Sequence, residues 1–184
     1  MKDSRVLTAK VVVALDIAIA AIMIAVTAVF TLLVRVPIPA TQGYFNFSDV
    51  AVYFSAFAFG PWIGLVAGGV GAAIADLVGG FPQWALLTFL AHGLEGLVAG
   101  LIARRVKSLP VLVSAWAAGT LTMLALYFLG EGLVLTGWGP AVAELPPNLL
   151  QNVVGGIVGI PLFYAVRKAY PPITQLGRRA KWED

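Results

Sequence analysis

The chain predicts an all-α integral membrane protein, a six-transmembrane-helix bundle with both termini cytoplasmic. Three observations carry this. Hydrophobic residues make up 60% of the 184 positions and charged residues only 11%, with a mean hydropathy of +0.91. An ordinary soluble domain has roughly 25% charged residues. Several runs of about 17 residues or more hold little or no charge, which is near the length a helix needs to cross hydrocarbon. Finally, the Lys and Arg residues gather in three clusters that six crossings would place on one side. Lipid tolerates only structures that satisfy their own backbone, and the alternating dyads of a membrane barrel are absent.

The expected helices cover 11–35, 49–59, 62–78, 85–103, 111–135 and 147–167. The second is short: eleven residues rise about 16 Å, roughly half the hydrocarbon thickness. Residues 49–78 could instead form one crossing broken at Gly60-Pro61, for five spans in all. Charge placement decides. With six spans, Lys2, Arg5, Lys10, Arg104, Arg105, Lys107, Arg167, Lys168, Arg178, Arg179 and Lys181 are cytoplasmic, eleven of the 12 basic residues, and only Arg35 is outside. Five spans would move the middle and terminal clusters outside. The positive-inside rule therefore favours six, with the second helix a partial or tilted span shielded by its neighbours.

Residues 1–184 read as a single transmembrane domain. It has external segments 36–48, 79–84 and 136–146, a basic cytoplasmic loop at 104–110 and a basic cytoplasmic tail at 167–184. The first apolar run is too long for a cleavable signal peptide and lacks a clear cleavage motif.

Small residues recur at helical spacing: Gly64, Gly68, Ala72 and Ala75 in helix 3, Gly96 and Gly100 in helix 4, Gly155 and Gly159 in helix 6. Such stripes let helices approach closely where apolar burial no longer drives association. Helix 1 carries Ala14-x-x-x-Ala18 and Ala21-x-x-x-Ala25, which fit either internal packing or the docking of a second protein.

Ionisable groups within membrane helices are costly and usually functional. Asp16, Asp49, Asp76, His92, Glu95 and Glu131 are the candidates. Thr88, His92 and Glu95 fall at i, i+4 and i+7 and share a face. That face is either a structural cross-link or the wall of a cavity. Asn148, Gln151, Asn152 and Gly155 form a matching stripe after Pro146-Pro147. Neutral amides of this kind glue helices together; they also suit an uncharged heterocycle, with aromatic rings on its faces and polar groups on its edges. Asp49 and Asp76 can each cap a helix end or meet a ligand. The loops add Tyr44, Phe45, Asn46, Phe47, Gln83, Trp84, Trp138 and Glu144. The polar residues gather in the outer half of the bundle, so an outward pocket fits better than a continuous ion path.

Other chemistries lack their residues. There are 0 Cys and 1 His, which leaves no thiolate or multi-His metal centre; no metal and no cofactor is expected. No P-loop, H-E-x-x-H or nucleophile elbow occurs, no Ser/His pairing of the rhomboid kind is visible, and no internal repeat of the secondary-transporter type is found.

The stretches AIMIAVTAV, PATQGYFNFSDVAV, FGPWIGLVAGGVGAAIADLVGGFPQWALLTFL, HGLEGLVAGLI and ELPPNLLQNVVGGIVGIPLFYAVRK together resemble the substrate-binding S-component of energy-coupling factor (ECF) vitamin transporters. The riboflavin-type and hydroxymethylpyrimidine-type branch is the nearest in look. The resemblance implies an outward-facing vitamin pocket and a separate transmembrane coupling protein with two cytoplasmic ATPases. It implies that Ala21 and Ala25, or else Ala14 and Ala18, contact the coupling protein. It also implies that residues 36–48 form a lid. His92 departs from the lysine that many relatives would carry there. The expected ligand contacts are Tyr44, Phe45, Asn46, Phe47, Asp49, Gln83, Trp84, Thr88, His92, Glu95, Glu131, Asn148, Gln151 and Asn152. The expected ligand is a pyrimidine- or pyridine-type vitamin precursor, with riboflavin as the alternative. A reading from another class is a stand-alone membrane enzyme or regulator that uses His92 and Glu95.

Overall fold

The computed structural model describes residues 2–39 and 43–176, without the side chains of residues 2–12 and 175. Positions 40–42 of the expected lid and Arg178, Arg179 and Lys181 of the basic tail lie outside the described residues, as do the side chains of Lys2, Arg5 and Lys10. Six α-helices form the described chain: α1 Lys2–Leu33, α2 Ser48–Phe59, α3 Pro61–Gly79, α4 Ala85–Ile102, α5 Leu109–Gly130 and α6 Trp138–Ala169. Five are long and apolar enough to cross a bilayer. The exception is α2, with 12 residues, which rises about 18 Å.

Its short length is tolerated because it hardly meets lipid. Ser48 to Tyr53 and Ser55 to Ala58 are buried, enclosed by α1, α3, α4 and α6. Gly60, at φ 95°, then turns the chain sharply and Pro61 opens α3. That pairing suits a residue without a side chain followed by one with its φ already set for a helix.

The small-residue stripes lie at the helix crossings. A Cβ on Gly64 would stand 2.7 Å from the Gly96 carbonyl oxygen, and one on Gly68 would collide with the His92 carbonyl. Thus α3 and α4 touch backbone to backbone. A Cβ on Gly155 would stand 2.5 Å from Asp49 Cβ, and one on Gly71 2.7 Å from the Ile24 carbonyl. These contacts seat α6 on α2 and α3 on α1.

The alanine stripe of α1 takes no part in this packing. Ala14, Ala18, Ala21 and Ala25 are all exposed, while Ile19, Met23, Thr27, Ala28 and Thr31 on the other face are buried. Of the two readings of the stripe, internal packing is the one the structure removes.

Three expectations need correction. The chain is not wholly α-helical: Val36–Ile38 (β1) and Gly43–Phe45 (β2) pair as an antiparallel hairpin, with Val36 opposite Phe45 and Ile38 opposite Gly43. Three-residue strands beside two prolines leave no alternation to read. The segment 136–146 is mostly helix, because α6 starts at Trp138 and runs through Pro146 and Pro147. Those prolines free the carbonyls of Val142 and Ala143, which are exposed residues, so the missing hydrogen bonds leave no buried acceptor. Helix 5 ends earlier than 135, passing into a π turn over Glu131–Leu135 in which the Thr136 and Gly137 N–H groups both donate to the Glu131 carbonyl.

The close α3–α4 crossing sets a test. Gly96→Val is expected to cost about 2–3 kcal/mol through overpacking. Gly139→Ala, whose added methyl meets nothing within 4 Å, should stay within about 0.5 kcal/mol. Thermal unfolding in detergent would show the contrast, and equal midpoints would contradict it.

Candidate functional site

The polar side chains converge at the hairpin end of the bundle, around a cavity of about 30 Å³. Each wall has a reason in local sequence. On α4, the helical period turns Thr88 and His92 inward together. On α6, it does the same for Asn148 and Gln151. The α3–α4 turn supplies Trp84, and the hairpin with the residue after it supplies Gly43, Tyr44 and Asn46.

Beneath the cavity lies a buried charged cluster. His92 Nδ1 is 2.8 Å from Glu95 Oε2 and 3.1 Å from Asp49 Oδ1. Both neighbours are carboxylates, so this nitrogen carries its hydrogen and donates. The Gln151 side-chain amide and the Ser48 hydroxyl each donate to Asp49 Oδ1 at 3.2 Å. Gln151 Oε1 accepts the Asn46 N–H at 3.0 Å, and Asn46 Oδ1 accepts the Ser48 N–H at 2.7 Å. Asn46 therefore caps the start of α2 with its own side chain, an Asx-type turn. Asp49, His92 and Glu95 each bring one potential ligand atom within 4.8 Å of the others. A cation there would have to replace the proton that already joins them.

A latch holds the hairpin. The Tyr44 hydroxyl donates to Asp76 Oδ1 at 2.6 Å, and the Tyr44 ring packs 4.8 Å from Phe81. Burial, reinforced by the Asp76 carboxylate, pushes the Tyr44 phenol well above its usual range, so it remains the donor. Arg35 lies over the same ring, 5.9 Å from its centroid, and donates to the Gly79 carbonyl at 3.2 Å.

A second network stands apart from the cavity. The Tyr53 hydroxyl donates to Asn152 Oδ1 at 2.6 Å and lies 3.1 Å from the Thr120 hydroxyl. The Trp116 indole donates to the Asn152 carbonyl at 2.8 Å, and Asn152 Nδ2 reaches the Asn148 carbonyl at 3.2 Å. These bonds tie α2, α5 and α6 in their shared core.

Of the sequence-predicted site residues, Tyr44, Asn46, Trp84, Thr88, His92, Asn148 and Gln151 line the cavity. Asp49 and Glu95 are buried behind His92. Phe45 and Phe47 pack on each other, 5.6 Å between centroids, and Gln83 is exposed on its turn. Glu131 is buried at the π turn and Asn152 belongs to the Tyr53 network. None of the last five lines the cavity. The structure adds Thr31, Ala72, Asp76, Tyr127 and Glu144 to the walls. Tyr127 was detectable in principle: it is the one tyrosine of α5, and a phenol in an apolar helix needs a partner. Here its hydroxyl donates to Thr88 Oγ1 at 2.9 Å.

A bundle with five helices long and apolar enough to cross a bilayer, and a polar cavity at one end, defines a multi-pass membrane protein. The particular kind follows from comparison. The model for the family described as ECF-type riboflavin transporter, S component, matches residues 12–168, and the chain belongs to that family of cell-membrane transport subunits. A Pyrococcus woesei protein, described only as an uncharacterized protein in the gap 3′ region, is 41% identical over 147 residues, 80% of this chain and 98% of that one. The thiamine precursor transporter HmpT of Lactococcus lactis subsp. cremoris (strain MG1363) is 36% identical over 139 residues, 75% of this chain and 79% of that one. A solved S component of a bacterial ECF transporter superposes with a TM-score of 0.67 at 24% identity, covering 84% of this chain and 96% of that one. This last likeness speaks for the fold.

The Tyr53 network allows a stability test. Tyr53→Phe leaves the buried Asn152 Oδ1 without its donor, and is expected to cost about 1–3 kcal/mol. A thermal midpoint unchanged from the parent would show that the network contributes nothing.

Proposed function

We propose that this chain is the substrate-capture subunit of an ECF-type importer, taking up a small water-soluble vitamin precursor of the pyrimidine or pyridine type. The observation that carries the reading is the cavity itself: the aromatic residues Tyr44, Trp84 and Tyr127 line it together with the amide and hydroxyl residues Asn46, Thr88, Asn148 and Gln151. That combination stacks a flat heterocycle and reads its edge. Kinship with a thiamine precursor transporter supports the substrate class. A riboflavin-specific subunit is the second reading, favoured by the name of the family model. The cavity of about 30 Å³ must widen to admit either ligand.

In this reading the bundle crosses the membrane six times with both termini cytoplasmic. The Tyr164 hydroxyl donates to the Lys107 carbonyl at 2.8 Å. That bond holds the basic α4–α5 loop against the end of α6 that carries Arg167 and Lys168, so both clusters sit at one end, the cytoplasmic one. The cavity then faces outward and the hairpin segment 36–48 is its lid. Asp49 and Glu95 act through His92, and Phe45 and Phe47 stiffen the lid. The exposed face at Ala14, Ala18, Ala21 and Ala25 docks the transmembrane coupling protein, whose two ATPases supply the energy.

Native mass spectrometry of the purified protein tests the substrate class directly: a co-purifying single-ring heterocycle supports it and a flavin overturns it. Gln151→Ala should weaken ligand binding by more than about 1 kcal/mol; wild-type affinity would remove this wall from the site. Ala21→Trp should abolish uptake by the complete complex while ligand binding to the isolated subunit persists. Undiminished uptake would sink the docking assignment.

A further inference from the structure

The floor beneath the cavity sets two acidic side chains against a single basic one. Asp49 and Glu95 are 0% exposed and His92 is 2% exposed. With both ring nitrogens protonated, the imidazole brings one positive charge to two carboxylates. No Lys or Arg side chain is buried among the described residues, so one negative charge is left over in the interior of a membrane protein. A buried charge without a counter-charge is strongly destabilising.

Hydrogens are short there as well. Gln151, Ser48 and His92 all converge on Asp49 Oδ1, and His92 also reaches Glu95 Oε2. Asp49 Oδ2 and Glu95 Oε1 accept no hydrogen bond. The Tyr53 hydroxyl lies beside Glu95, but it gives its one hydrogen to Asn152. Asp76, Glu131 and Glu144 are buried carboxylates too. Among the described residues, however, only Asp49, His92 and Glu95 bring three metal-ligating side chains together.

The geometry suits an ion. His92 Nδ1 is 2.8 Å from Glu95 Oε2 and 3.1 Å from Asp49 Oδ1, and one ligand atom from each residue lies within 4.8 Å of the others. Imidazole and carboxylate bind zinc at about 2.0–2.2 Å, which sets the donors of a tetrahedral ion roughly 3.3–3.6 Å apart. The two short contacts then open by roughly half an ångström. The charges close as well. The imidazolium releases its Nδ1 proton to water and binds as the neutral ring, and a divalent ion meets two carboxylates. Three protein donors leave a fourth position for Asp49 Oδ2 or for water from the cavity, which His92 lines.

We propose that Asp49, His92 and Glu95 form a binding site for one divalent transition-metal ion of the zinc type, which fastens α2 to α4. A ring nitrogen with only two carboxylates disfavours magnesium and calcium, which take shells of oxygen. The inference concerns the floor of the cavity and holds whatever molecule the cavity takes up.

The chain has 1 His and 0 Cys, so once any affinity tag is removed an imidazole on a bound metal can only be His92. The test loads the untagged full chain in detergent with zinc, removes the excess, counts the metal by plasma mass spectrometry and records its X-ray absorption spectrum. One zinc per chain is expected, with one imidazole in an otherwise oxygen shell. Retention of no zinc overturns the site, and a second proton then holds the spare charge. A shell without imidazole overturns it too, since the ion then sits elsewhere. Glu95→Gln and His92→Lys each remove a ligand, the second while keeping a cation, and should weaken zinc at least about 100-fold in competition with a chromophoric chelator. Wild-type affinity in both would contradict the assignment. Zinc should raise the thermal midpoint of the parent and not of Glu95→Gln; an equal rise in the two overturns the link between helices. Displacement of zinc by millimolar magnesium would overturn the class of ion. The spectrum of the parent chain decides even where a variant does not fold, and none of these readouts depends on a vitamin ligand.

Discussion

Asp49 stands where three helices meet, and the arrangement of the site depends on it. It opens α2, touches His92 of α4, receives Gln151 of α6 and lies against Gly155 with no room for a side chain there. A carboxylate so deeply enclosed persists only if its neighbours supply hydrogens. Those neighbours are therefore fixed in place, and they happen to be the walls and floor of the cavity. Helix packing and the cavity wall share one set of bonds.

The glycine contacts make this possible. Because α3 and α4 meet at their backbones, His92 and Glu95 sit close enough to α2 to reach across. A membrane helix pair held apart by larger side chains would leave the imidazole short of Asp49. Close approach through small residues is usually discussed as a source of packing energy. In this bundle it also sets the distance at which two charged helices can satisfy each other.

Helical period made much of the site legible. Thr88, His92 and Glu95, and likewise Asn148, Gln151 and Asn152, lie on faces that repeat every 3.6 residues, and the fold turns both faces inward. Period alone does not separate cavity from core. Asn148 and Gln151 line the space, while Asn152, one residue on, is spent on Tyr53 and Trp116. Asp76 sits just before Gly79-Gly80, where a cap and a ligand contact leave the same trace in sequence. The fold tells them apart: the Asp76 carboxylate accepts from Tyr44 of the hairpin and the residue lines the cavity. Tyr127 was lost in an apolar run where one aromatic looks like any lipid-facing anchor. The start of α6 was hidden by Pro146-Pro147, which in sequence mark a helix start; here the carbonyls they free belong to exposed residues, so the helix runs through them. The hairpin was too short to announce itself.

The Tyr44–Asp76 bond has a consequence for timing. Asp76 fastens the hairpin through one oxygen and is itself part of the cavity wall, so closure and occupancy load the same carboxylate. A guest that polarises this group also strengthens or slackens the clasp above it. Molecules that fit equally well at equilibrium can then differ in how long they stay. For such a pocket, residence time is a more sensitive measure of fit than affinity.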